Sequence, residues 1–286
     1  MIIRLCAFSD EVGNSLKEQI DALKRNSISL MELRSIDKKN VLDFTLIEAR
    51  EYQRIMEENG ITVWSIGSPI GKVDINVNFD EYLKKVEHIC ELAKIFKTDK
   101  IRMFSFFKAY EQEDKVFDYL RRMVEVANKY DVKLYHENEK GIYGDTLERV
   151  KRIMENVDGL KYIYDPANYL QCNELAKDTI EAFSSKTDYF HIKDVISATG
   201  ELVPAGEGDG MISELLSRIT TDKTLTLEPH LTIFDAFKTI DNTEMKHKYV
   251  YKNSNEAFDV AVNALKNILI NLGYKEENGV FVKWKK

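Results

Sequence analysis

A chain of 286 residues that is 44% hydrophobic and 31% charged has an ordinary globular composition, with enough apolar side chains for a large core. The formal net charge of −7 and pI of about 5.5 exclude a broadly basic surface, so no nucleic-acid partner is expected. No stretch reaches the ~20 apolar residues of a membrane span, and MIIRLCAFSDEVG lacks the basic start and long apolar centre of a signal peptide. Cys6, Cys90 and Cys172 are scattered and form no CxxC pair, so three reduced, buried thiols in a cytoplasmic protein are expected.

Taken in chain order, eight apolar runs predict strands. They are IIRLCAF (2–8), ISLMELR (28–34), TVWSIGS (62–68), KIRMFSFF (100–107), VKLYHE (132–137), LKYIYD (160–165), DYFHIK (188–193) and TLTLE (224–228). Between them, segments such as LKEQIDALKRN and KVFDYLRRMVEVANKY space apolar residues by three and four, as amphipathic helices do. Gly60 and Gly159 fall where helices should end. Eight strand–helix units predict an α/β fold, a (β/α)8 TIM barrel spanning 1–286 as one domain, with a core of about 1–272 and a short tail, 273–286. FSDEVGN after the first strand has no GxGxxG, which argues against a dinucleotide-binding sheet. All four prolines, Pro69, Pro166, Pro204 and Pro229, follow predicted strands, on the barrel face that carries active sites.

Four consecutive strands end in a metal-type ligand: Glu137, Asp165, His191 and Glu228, separated by 28, 26 and 37 residues. Side chains alternate along a strand, so inward ligands put Tyr135, Ile163, Tyr189 and Thr226 in an inward layer below them. His136 then faces the helices as a core histidine. Three converging carboxylates repel one another unless a proton or a cation bridges them. One nitrogen and three carboxylates suit Mn²⁺ best among divalent ions, with Mg²⁺, Co²⁺ or Zn²⁺ as alternatives.

The ordered motifs HENEKGIYGDT, YDPAN, FHIKD, PAGEGDG and LTLEPHL resemble the xylose-isomerase-like barrel superfamily. They are most similar to its sugar phosphate isomerase/epimerase branch, which holds ketose 3-epimerases, hydroxypyruvate isomerases and inosose dehydratases. The resemblance implies that Glu137, Asp165, His191 and Glu228 bind one divalent metal, often manganese. It implies a carbohydrate substrate, and relatives are commonly homodimers or homotetramers. Apurinic endonucleases of the same superfamily carry extra histidines on the third and fourth strands and a His three residues after the Asp. Here those strands have none, and that later position is Asn168.

A metal so held can stabilise an enediolate, with Glu137 and Glu228 as the acid/base pair of an isomerase or epimerase. The alternatives are a dehydratase or lyase on a keto-polyol and a non-catalytic sugar-binding barrel. Further candidates for substrate contact are Lys193 and His230, one inward step above ligands, and Asn168. Glu32 and Arg34 share a face of the second strand and are assigned to the distal end of the substrate or to a buried ion pair. Trp64, Phe106 and Phe107 are candidates for stacking on a sugar or for the core. Glu207 lies on a Gly-rich loop that can close over the site. The polar stretch 231–256 is read as a solvated loop, a lid, or a phosphate or subunit contact.

Overall fold

The computed structural model describes residues 1–233, 245–277 and 279–284. Each of the eight predicted runs overlaps a barrel strand: β1 (Ile2–Ala7), β2 (Leu30–Leu33), β3 (Thr62–Ile66), β4 (Lys100–Met103), β5 (Lys133–Glu137), β6 (Lys161–Tyr164), β7 (Tyr189–Ile192) and β8 (Lys223–Leu227). They pair in parallel in chain order, and β8 closes on β1.

The helices outside are α1 (Leu16–Arg25), α2 (Leu46–Glu58), α3 (Phe79–Ile95), α4 (Glu113–Lys129), α5 (Leu147–Asn156), α6 (Pro166–Gln171), α7 (Ala176–Phe183), α8 (Ile212–Ser217) and α9 (Ser254–Asn271). Their starts follow from local chemistry. Ser15 with Glu18 and Thr45 with Glu48 form reciprocal capping boxes, and Asp165 caps α6 directly before Pro166. Gly60 and Gly159 take positive φ after α2 and α5, as their positions in the sequence suggest.

Strand parity divides the interior into two cores. Outward residues such as Leu134, Tyr162 and Leu225 join one cluster with the helices. Tyr135, Ile163 and Tyr189 form a separate cluster inside the barrel. His136 faces outward, buried, with Nε2 at 2.9 Å from Ser105 Oγ; burial pushes its pKa down to about 3, so it stays neutral. Gly144 lies against that ring, where a Cβ would sit 2.4 Å from Cε1.

Of the two readings of Trp64 and Phe106, stacking on a sugar or packing in the core, the structure supports the core, and the expectation of a buried Cys172 is corrected. Trp64 lies at a register shift, where Met31 pairs with Val63 but Glu32 pairs with Ser65. This bulge turns Trp64 onto Tyr189 of the inner layer and under Lys100, the first residue of β4, so it packs at the end of the barrel away from the ligands. Phe106, at φ 71°, packs on Phe79 and Tyr119 in the helical layer and cannot stack on a sugar. Cys172 is half-buried, whereas Cys6 and Cys90 are buried; all three are free.

The C-terminal segment is part of the sheet. Lys275–Glu277 and Val280–Val282 form a hairpin that pairs antiparallel with residues 2–4 of β1, while Cys6 and Ala7 of β1 pair with β2. Part of the 231–256 stretch, residues 234–244, lies outside the described residues. Lys246–His247 adds a strand to a small sheet with Asp194–Ile196 and Glu201–Val203. Among the described residues, no helix is long and apolar enough to cross a membrane.

Candidate metal centre and active site

Glu137, Asp165, His191 and Glu228 are brought together: one ligand atom from each lies within 4.8 Å of the others, and all four are buried. The register explains how staggered residues meet. Glu137 pairs with Ile163, two residues below Asp165; Ile163 pairs with Tyr189, two residues below His191; Thr226, two residues below Glu228, pairs with His191. The ligands therefore climb by two residues, none and two across three strand boundaries. That average of about one residue per strand matches the shear of a tilted eight-stranded barrel, which returns them to one height along its axis.

Each ligand is held from behind. Arg102 Nη1 donates to Glu137 Oε2 (3.1 Å), which leaves Oε1 toward His191 Nδ1 (2.9 Å). Arg34 Nη1 donates to Glu228 Oε1 (2.9 Å), which leaves Oε2 3.2 Å from His191 Nδ1. Asp165 accepts from the Asn168 backbone through Oδ1, while Oδ2 is 3.0 Å from Lys193 Nζ. Neither Glu228 Oε2 nor Asp165 Oδ2 has a partner in hydrogen-bond geometry, although both are buried. Such orphaned anionic oxygens around one point are what a bound cation satisfies, so the cluster can hold a metal ion.

The charges agree with this. Burial, then Glu137 and Glu228, push the Asp165 carboxyl up to about 7 despite Lys193. Burial opposes the charge on Lys193, but Asp165 and Glu228 raise its pKa well above the ordinary value. The neighbouring carboxylates act on both groups in the same sense, adding to burial at Asp165 and outweighing it at Lys193. Burial alone would lower His191; Glu137 and Glu32 outweigh it and raise its pKa. In metal-free protein at pH 8, Asp165→Asn is expected to stabilise by about 1–2 kcal/mol, because it removes one of the repelling charges. The same substitution is expected to abolish the stabilisation given by added Mn²⁺, as read by unfolding with chelator and with metal.

Glu32 is placed beneath His191, not at the distal end of a substrate. Its Oε2 is 3.2 Å from His191 Nε2 and accepts from Thr226 Oγ1 (2.8 Å), while Tyr189 donates to Oε1 (3.1 Å). With Glu32 accepting Nε2–H, Nδ1 is the nitrogen that faces the ligand cluster, where a bound cation would take the place of its proton. Arg34 likewise belongs to a buried network, with Asp10 (2.8 and 2.9 Å), Glu11 (3.5 Å) and Glu228. Glu207 is exposed and accepts from Tyr249; the loop is organised instead by backbone N–H groups of Gly206, Gly208 and Gly210 on Asp194.

Lys193, Asn168 and His230 do lie at the site. Asn168 Nδ2 is 3.4 Å from Glu137 Oε1, and His230 Nε2 is 3.4 Å from Glu228 Oε1. His230 stands at φ 49°, fixed by its N–H to Glu11 and by His247 on its carbonyl. Burial lowers its pKa to about 4, which keeps it neutral.

Arg102, Phe8, Asp10, Glu11 and Lys72 are absent from the sequence-derived set. Phe8 sets its ring edge-on to His191 (5.2 Å) and lies under both Arg34 (4.3 Å) and Arg102 (4.8 Å). Gly67 makes room for it, since a Cβ there would be 2.4 Å from the Phe8 ring. A signal for Arg102 existed: it interrupts the apolar run of β4 at inward parity, level with Tyr135.

A family model described as xylose isomerase-like TIM barrel matches residues 20–243. A curated 3-dehydroshikimate dehydratase of Bacillus anthracis is 24% identical over 184 residues, 54% of this chain and 65% of that protein. The chain thus spans less than two thirds of that relative's length. The crystal structure of a probable 3-DHS dehydratase from Bacillus anthracis superposes with a TM-score of 0.70 at 18% identity, covering 93% of this chain and 99% of the other. An L-ribulose 3-epimerase superposes with a TM-score of 0.72 at 14% identity, covering 95% of each. At these identities the structural likeness concerns the fold.

Proposed function

Since the chain belongs to the xylose isomerase-like TIM barrel family, we propose that it is a divalent-metal-dependent isomerase or epimerase of a keto-sugar. Glu137, Asp165, His191 and Glu228 would hold the ion, Mn²⁺ ahead of Mg²⁺, Co²⁺ or Zn²⁺. A bound divalent ion supplies Lewis-acid charge for the adjacent carbonyl and hydroxyl oxygens of a sugar.

The observation that carries the proposal is the matched construction of two carboxylates. Glu137 and Glu228 each give one oxygen to an arginine and turn the other toward His191. Held this way, one carboxylate removes the proton alpha to the carbonyl and the other returns it. Return to the opposite face of the same carbon inverts it, and return to the neighbouring carbon interconverts ketose and aldose. Lys193, Asn168 and His230 are assigned to substrate hydroxyls.

Metal-loaded protein incubated with a panel of ketoses in deuterated water is expected to place deuterium next to the carbonyl of at least one. A blank panel, with metal content verified, removes carbon-acid chemistry and leaves a sugar-binding barrel.

A dehydratase acting on a keto-polyol is the second reading. It is favoured by Lys193, a buried ammonium 3.0 Å from Asp165 whose charge is held by Asp165 and Glu228 and which can give a leaving hydroxyl its proton. The similarity to a 3-dehydroshikimate dehydratase supports it. The same incubations separate the two, because elimination lowers the product mass by one water and creates an ultraviolet-absorbing enone.

A further inference from the structure

Resting on that carbon-acid chemistry, we infer that the substrate is uncharged, a free keto-sugar or keto-polyol, with the Lys72–Glu139 ion pair acting as the selectivity element against phosphate and carboxylate. Four cations of the site are each committed to the chain's own carboxylates. Arg34 is held by Asp10 and Glu228, and Arg102 by Glu137 with the carbonyls of Gly67 and Ser68. Lys193 Nζ lies 3.0 Å from Asp165 Oδ2, and Lys72 Nζ lies 3.0 Å from Glu139 Oε2.

Among the described residues, both of these lysines lie just beyond strand ends, on the face that carries the ligand cluster. Lys72 comes from the loop after β3 and rests on the Phe104 ring, 4.4 Å from its centroid; Lys193 directly follows β7. Glu139, just past β5, attracts both. Lys72 and Glu139 side chains are only 12% and 15% exposed, so the pair is largely withdrawn from water. An ammonium has three donors, so each lysine keeps N–H groups for hydroxyl oxygens after its ion pair is made. A polyol is thus accommodated without breaking either pair.

An anion is not. A phosphate dianion leaving water requires cations in exchange for its hydration. To use Lys72 it must displace Glu139, and the displaced carboxylate then stands unpaired beside a second anion.

The test uses titration calorimetry on the full metal-loaded chain, with D-fructose and D-fructose 6-phosphate as probes. In the parent protein the phosphate is expected to bind about tenfold or more weakly than the free ketose. Glu139→Gln frees Lys72 and is expected to tighten phosphate binding by about 5–10-fold while leaving fructose within about twofold. Adding Lys72→Met to that variant is expected to reverse the gain. Equal or tighter phosphate binding by the parent overturns the inference, as does a Glu139→Gln variant with no gain for phosphate. When neither probe binds the parent, the variant's gain or lack of gain decides. Deuterium exchange on the same probes reports separately on the proposed chemistry, so a protein that binds the free ketose without exchange refutes the function and leaves the charge selectivity standing.

Discussion

Arg34→Met is expected to destabilise the metal-free protein by about 3–5 kcal/mol, the range for breaking a buried ion pair from one side. The guanidinium has 3% side-chain exposure and joins three carboxylates that come from different parts of the chain: Asp10 and Glu11 after β1, and Glu228 after β8. Its Nε and Nη2 form a fork onto Asp10, and Nη1 reaches Glu228. Methionine fills similar volume but leaves Asp10 and Glu228 as buried anions without this partner. Arg34→Lys keeps the charge yet cannot span both carboxylates, so it is expected to recover only part of the loss. Denaturant unfolding with unchanged m-values measures both. A loss below about 1 kcal/mol for the methionine variant would show that the network is effectively solvated, in the range of surface pairs. The local consequence matters equally: without Arg34, Glu228 Oε1 is free to rotate toward His230, so metal affinity is expected to fall together with stability.

The barrel and its ligand cluster were legible because both follow from short-range rules. Apolar runs of strand length, separated by helical spacing, give eight βα units, and period-two alternation assigns Glu137 inward and His136 outward. Parity says which way a side chain points, but not what meets it. Glu32 was read as sharing a face of β2 with Arg34, yet its partners, Tyr189, His191 and Thr226, come from strands more than 150 residues away, and no local pattern encodes that approach. Trp64, left open between sugar stacking and the core, was undecided for a different reason. One extra residue in β3 opposite the Met31–Glu32 step breaks alternation, and a bulge leaves no mark in TVWSIGS. Arg102 was readable by the same parity that found the ligands. Asp10 and Glu11 sit in a 3-10 turn after β1, where alternation has ended and only the fold shows that they turn back to Arg34.

Glu137→Gln and Glu228→Gln are each expected to lower turnover by about 10²–10⁴-fold, the usual contribution of general acid–base catalysis. Glutamine matches the shape of glutamate and can still accept from Arg102 or Arg34 through its carbonyl oxygen, but it cannot take up a proton at neutral pH. Loss of rate alone does not separate a base from a metal ligand, and both carboxylates are assigned both roles. The isotope pattern does. When two bases work on opposite faces of one carbon, disabling one leaves the other able to remove and return a proton on its own side. Each variant is then expected to exchange deuterium into one epimer of the substrate while converting neither, and the two variants are expected to choose different epimers. Metal stoichiometry measured on the same samples keeps the comparison clean. Near-normal turnover in both variants refutes the acid/base assignment. Loss of all exchange in one variant and its retention in the other, with metal retained in both, shows instead that a single group handles the proton, which is the behaviour expected of the dehydratase reading. The outcome thus turns on the feature that distinguishes this site geometrically: Glu137 Oε1 and Glu228 Oε2 approach the same imidazole nitrogen from β5 and β8, at 2.9 and 3.2 Å, each anchored by its own arginine.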